Sequence, residues 1–118
     1  MDEIKRQYLR DAGIDVEDAL ERFMGNETLM VKFLLRFPGD ENFPRLKKAL
    51  AEGDAGAAFT AAHTLKGVAG NLSMEELFRQ VSPLVEDLRS ENLTAAAGRM
   101  PALEKTYARV LEALGHLV

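Results

Sequence analysis

Apolar residues recur three and four positions apart in almost every segment of this chain, and nowhere do they alternate with a period of two. A helix turns by roughly 100° per residue, so this spacing gathers apolar side chains on one stripe of a helix, whereas a half-buried strand needs every second residue apolar. The fold class is therefore all-α. With 118 residues, 47% of them hydrophobic, the chain has the size and the apolar content for one domain around a single core.

Punctuation between the stripes sets the helices. Asp15 is placed to cap a short helix presenting Val16, Leu20 and Phe23, which Gly25-Asn26 breaks. A helix from Asn26 carries Leu29, Met30, Phe33, Leu34 and Phe37 until Pro38-Gly39 stops it. Asp40 caps the next, through about Glu52, with Phe43, Leu46 and Leu50 on one face and Pro44 tolerated in its first turn. Gly53-Asp54 ends that helix and starts another, from about Ala55 to Gly70. Ser73 and Glu76 have the spacing of a capping box, opening a helix whose apolar set is Met74, Leu77, Phe78, Val81, Leu84, Val85 and Leu88. The last, from about Asn92 to Leu117, repeats Met100, Leu103, Tyr107, Val110, Leu114 and Leu117. Pro83 and Pro101 fall inside these last two and are expected to kink or interrupt them.

Connections of two to four residues between the last four helices leave room only for antiparallel neighbours. An antiparallel up-down-up-down four-helix bundle is expected over about residues 40–117, with short N-terminal helices within about residues 1–38 capping one end or side. The sequence holds no internal repeat, and Ala95-Ala96-Ala97 is simply helix-favouring.

A net charge of −4 with both signs interleaved gives no basic stripe to follow a phosphate backbone, so nucleic acid is not an expected partner. Low aromatic content and the lack of tryptophan argue against base- or sugar-stacking platforms. Without cysteine there is neither a disulfide framework nor a thiolate metal site, which suits a reducing cytoplasm. Met1-Asp2-Glu3-Ile4-Lys5-Arg6 lacks the apolar core of a secretory signal, and no later run approaches the roughly 20 residues that cross a bilayer. A soluble, cytoplasmic, monomeric protein is expected.

The helix from Ala55 to Gly70 carries the chemistry. Its core side is set by Ala58, Ala61, Leu65 and Val68, with Leu72 just past the end, and His63 points the other way. Within roughly 60° of His63 on the helical wheel stand Gly56, Phe59, Thr60, Lys66, Gly67 and Gly70. An interior helical glycine costs about 0.5–1 kcal/mol relative to alanine, so something other than helix stability selects Gly67. One turn after His63 it removes the side chain that would crowd the imidazole. Lys66, three residues on, has the spacing that sets two side chains next to each other, and its ammonium is able to reach an anionic group on the ring. A neutral imidazole, the major form near pH 7, is itself a nucleophile, and no general base is needed. Gly70 also sits where a helix C-cap is expected.

Plainer roles stand beside these. A lone helical histidine usually has no function, and Lys66 alone would be a solvated charge. Phe59 lies either exposed beside His63 or tucked under the N-terminal helices. His116, in the last turn, suits the helix dipole and is given no function. Its neighbour Glu112 does not complete a metal site, because a carboxylate-bridged bundle needs Glu-x-x-His pairs on two helices and none occurs.

The run Ala62-His63-Thr64-Leu65-Lys66-Gly67-Val68-Ala69-Gly70-Asn71-Leu72 resembles the phosphorylation motif of the histidine-containing phosphotransfer (HPt) family, His-x-x-Lys-Gly followed by small residues. At average residue usage His-x-x-Lys-Gly alone arises by chance in roughly one chain in a hundred of this length. The Gly13-Ile14-Asp15-Val16 segment and the helix order extend the likeness over most of the chain. The resemblance implies a phosphorelay: His63 would be the phosphoacceptor, Lys66 would hold phosphoryl oxygens and Gly67 would give access. Phe59, Thr60 and Gly70 would belong to the docking surface. Partners would be a response-regulator receiver domain and a sensor or hybrid histidine kinase. No cofactor is implied for this chain, since the magnesium ion and acidic pocket belong to the receiver. The family would thus make the chain a carrier rather than an enzyme. Many members have glycine where Ser73 stands, a change that looks harmless if serine caps the following helix, and Gln80 or Ser82 is the polar residue nearest to assist at the phosphoryl site. The opening methionine and full set of bundle helices point towards a freestanding protein. Two other functions compete: a non-phosphorylated adaptor using the same helix face, and a metal-binding or catalytic bundle, which the scarcity of histidine disfavours.

Overall fold

A computed structural model of the chain describes all 118 residues and contains seven α-helices and no strand. They are α1 (Glu3–Asp11), α2 (Val16–Arg22), α3 (Glu27–Leu34), α4 (Asn42–Ala51), α5 (Ala55–Asn71), α6 (Glu75–Arg89) and α7 (Leu93–Gly115), with a 3-10 turn at Phe37–Gly39 before α4. Side-chain caps open most of them. Asp15 accepts from the Asp18 N–H, Asn26 from Leu29, Asp54 from Ala57 and Asn92 from Ala95. Asp2 does the same for α1, a helix the apolar periodicity did not disclose because only Leu9 of it is buried. Asp40 accepts from the Asn42 N–H at 2.9 Å, and α4 begins there, one residue later than a direct cap would set it.

Helices α4 to α7 form the bundle. Each connection between them is three residues long, which holds consecutive helices antiparallel. Contact between α4 and α7 closes the bundle: the Phe43 and Tyr107 rings lie 4.1 Å apart, and Lys47 reaches Glu104 at 2.7 Å. Inside, Leu46, Leu65, Leu77, Leu84, Leu103 and Val110 are fully buried. The helices run through Pro83 and Pro101 without interruption. The carbonyls that lose a donor to these prolines belong to Arg79 and Ala97, exposed residues at which water can substitute.

Three apolar residues assigned to the core are not in it: Leu29 and Phe33 are each 37% exposed and Phe78 is 39% exposed. Helix α3 meets the core through buried Met30 and Leu34 and half-buried Val31, while Phe33 packs on the Phe23 ring and lies under the Arg36 guanidinium. Leu20, Phe23, Leu50, Val68, Met100 and Leu117 are half-buried at the rim.

The capping box at Ser73 does not form. Ser73 adopts a left-handed φ of +54° as the residue just past the end of α5. There its N–H donates to the Gly70 carbonyl and the Met74 N–H to the Ala69 carbonyl, the bonding that closes a helix over a left-handed residue. Its hydroxyl donates to Asp18 at 2.6 Å instead of capping α6. Backbone from the N-terminal segment caps α6 in its place. The Glu76 N–H donates to the Gly13 carbonyl at 3.2 Å, and the Asp15 N–H to the Ser73 carbonyl at 2.9 Å. Only glycine fits at position 13, where φ is +83° and a Cβ would stand 2.3 Å from that of Glu76. Segment 13–15 thus straps α1–α3 onto the turn that ends α5.

Candidate functional site

Helix α5 buries Ala58, Ala61, Ala62, Leu65 and Ala69 and turns His63 outward. Four of those five are alanines, which lets its neighbours approach closely and sets the helix between α4 and α6. His63 and Gly67 are both exposed, and apart from the adjoining residues and the backbone of α5 itself no atom comes within 4 Å of where a Cβ on Gly67 would be. The notch inferred beside the imidazole is open. Thr60 and Thr64 flank it with their hydroxyls donated back to the carbonyls of Gly56 and Thr60, at 3.2 and 2.9 Å.

Phe59 lies beside His63 rather than beneath α1–α3. The two ring centroids are 5.6 Å apart with planes inclined by 20°, an offset stack. Phe59 is half-buried along the seam with α6, near Leu88, and the Arg89 guanidinium lies 5.0 Å from its ring centroid. Lys66 is half-buried on the other flank, with its ammonium 5.5 Å over the Phe78 ring. Together with Gly67, Gly70, Asn71 and Arg22, these two residues line an open cleft of about 570 Å³. Gly70 is not the C-cap, since α5 continues to Asn71 and is capped at Leu72. A Cβ on it would press on Phe78 at 3.3 Å, so the bare position seats that ring.

The polar candidates of α6 are engaged elsewhere. Gln80 donates to Glu76 at 2.9 Å, and the Ser82 hydroxyl donates to the Phe78 carbonyl at 2.6 Å. Phe78 and Arg89 are the α6 side chains beside Lys66 and Phe59, and sequence reading had given neither a place here. Eleven residues apart, they share one face of α6, and a helical wheel of that segment carries the signal. From α2, Arg22 reaches the cleft while paired with Asp18 at 3.0 Å. The Asp18 carboxyl is held below its ordinary range by the Ser73 hydroxyl and then by Arg22. No three His, Cys, Asp or Glu side chains come together as a metal site would require, and no helix is long and apolar enough to cross a membrane.

The architecture is an all-α bundle whose second long helix presents a histidine to solvent, with a lysine and a bare glycine in the following turn. Its sequence matches the family model of the Hpt domain over residues 39–113, and the chain belongs to that family. Comparisons with curated proteins and with solved structures gave no significant match. The match takes in the bundle and His63, while α1–α3 lie outside it. Membership makes the chain a phosphorelay component with a phosphocarrier domain, and phosphorelay proteins are its class of partner.

Proposed function

We propose that His63 accepts a phosphoryl group from the aspartyl phosphate of a receiver domain, or from a histidine kinase, and passes it to the aspartate of a response-regulator receiver. A ring nitrogen of neutral His63 attacks phosphorus, the bond from phosphorus to the donor oxygen or nitrogen breaks, and the donor side chain leaves with that electron pair. Transfer to the receiver reverses these roles. The observation that carries the proposal is the exposed imidazole beside the open space at Gly67.

Lys66, one turn along the same face, supplies a positive charge to the phosphoryl oxygens once they are attached. Its ammonium rests over Phe78 in the unphosphorylated chain, a weak contact that a doubly charged phosphoryl group outcompetes. Phe59 and Thr60 form the docking surface on one side of His63, and Phe78, seated on Gly70, forms it on the other. Magnesium and the acidic pocket belong to the receiver, and the reaction takes place in the cytoplasm with this chain as a monomer.

Mixing the protein with phosphorylated receiver domains tests the proposal. Label that is stable in base, labile in acid and absent from His63→Ala is the expected result. Failure of every receiver to transfer to a correctly folded protein would favour a non-phosphorylated adaptor that binds through the same face.

A further inference from the structure

We infer that Phe59 is a positioning residue for His63, and that Arg89 in turn holds Phe59; the inference rests on His63 being the phosphoacceptor. Helical side chains lean towards the N-terminus, so the His63 imidazole leans back over residue 59 and away from Gly67. It meets a flat ring there, 5.6 Å away and within 20° of parallel. The phenyl ring has little freedom of its own, wedged at the α5–α6 seam with Arg89 over it at 5.0 Å. Arg89 is anchored by Glu86 at 3.1 Å. Glu86, Arg89, Phe59 and His63 therefore form one column from α6 to the imidazole.

The chemistry gives this column a use. Phosphoryl transfer needs the attacking nitrogen in line with the bond that breaks, and an imidazole on an open helix face otherwise samples several rotamers. A phenyl face restricts the ring by contact alone. It makes no conventional hydrogen bond to either nitrogen, which leaves both free for attack and proton exchange. Lysine and glycine on the far flank bear on the phosphoryl group and the partner, so orientation of the ring falls to Phe59.

Two variants separate positioning from docking. Phe59→Leu keeps an apolar side chain and removes the flat face, while Phe59→Tyr keeps the face. With a phosphorylated receiver that transfers to the wild-type chain, Phe59→Leu is expected to lower the rate at saturating receiver by about two- to tenfold, and Phe59→Tyr to restore that saturating rate, whatever either does to half-saturation. In proton NMR the His63 ring signals should lose their upfield ring-current shift in Phe59→Leu and keep it in Phe59→Tyr. Arg89→Gln should slow transfer to a smaller extent, and not at all in the Phe59→Leu background. An unchanged saturating rate with weaker half-saturation would make Phe59 a docking contact only and overturn the inference, as would His63 ring signals that do not move. Should no receiver transfer to the wild-type chain, the phosphocarrier proposal fails, and the role in transfer inferred for Phe59 falls with it.

Discussion

Ser73 and Asp18 are 55 residues apart in the chain, and the serine hydroxyl donates to the aspartate carboxylate at 2.6 Å. That bond fixes α2 to the turn ending the histidine helix, and both residues line the cleft that Gly67 also lines. It also accounts for a serine in a left-handed conformation that glycine ordinarily fills, because a glycine would relieve the backbone and lose the tie.

Replacing Ser73 separates these two effects. Ser73→Ala keeps the left-handed penalty and loses the hydrogen bond, and is expected to cost about 1–2 kcal/mol. Ser73→Gly loses the bond but also the penalty, and should fall within about 1 kcal/mol of wild type. Urea unfolding of the three proteins checks the order. An alanine variant as stable as the glycine variant would show that the residue is not strained.

Stability should depend on pH through Asp18. Its carboxyl titrates lower in the folded chain than in the unfolded one, so the unfolded chain binds the proton more readily. The resulting stabilisation is fully present above the ordinary carboxylate value of about 4 and is lost as pH falls through the folded value. The urea midpoint should hold between pH 5 and 7 and drop below about pH 4. Asp18→Asn should begin lower and fall less steeply; a fall as steep as wild type would assign the effect to other carboxylates.

Gly67→Gln should leave the bundle folded and add up to about 1 kcal/mol of stability, since glutamine is the better helix former and open space awaits it. Transfer from a receiver should slow by about tenfold or more, a barrier of roughly 1.4 kcal/mol. Stopped-flow transfer measurements compare the two, and equal rates would show that the notch is not what a partner needs.

Lys66→Ala should leave the protein able to take a phosphoryl group but shorten the life of the phosphorylated form, by about threefold to tenfold for a half-sheltered charge-assisted contact. Loss of label with time, compared with wild type, measures this. An identical decay and an identical rate of formation would remove the lysine from the site.

Much of this was legible in the sequence because it is local. Helix starts at Asp15, Asn26, Asp54 and Asn92 follow from caps that act within three residues, and the outward face of α5 follows from the wheel. What sequence reading missed depends on a second element. Phe33 and Phe78 continue apolar stripes, and only the placement of neighbouring helices leaves their rings at the surface. Ser73 has the spacing of a cap, yet Gly13 brings its own carbonyl to α6 and the serine bonds to α2 instead. Arg89 reads as a solvated charge until α6 is set against α5 and its guanidinium falls over Phe59.

The central claim is that His63 carries the phosphoryl group, and mapping the modified residue tests it most directly. Protein phosphorylated by a receiver, digested without acid and sequenced by mass spectrometry, should carry one phosphate on the peptide containing His63, unchanged by His116→Ala and absent after His63→Ala. Phosphate on any other residue, or label that survives His63→Ala, would contradict the account.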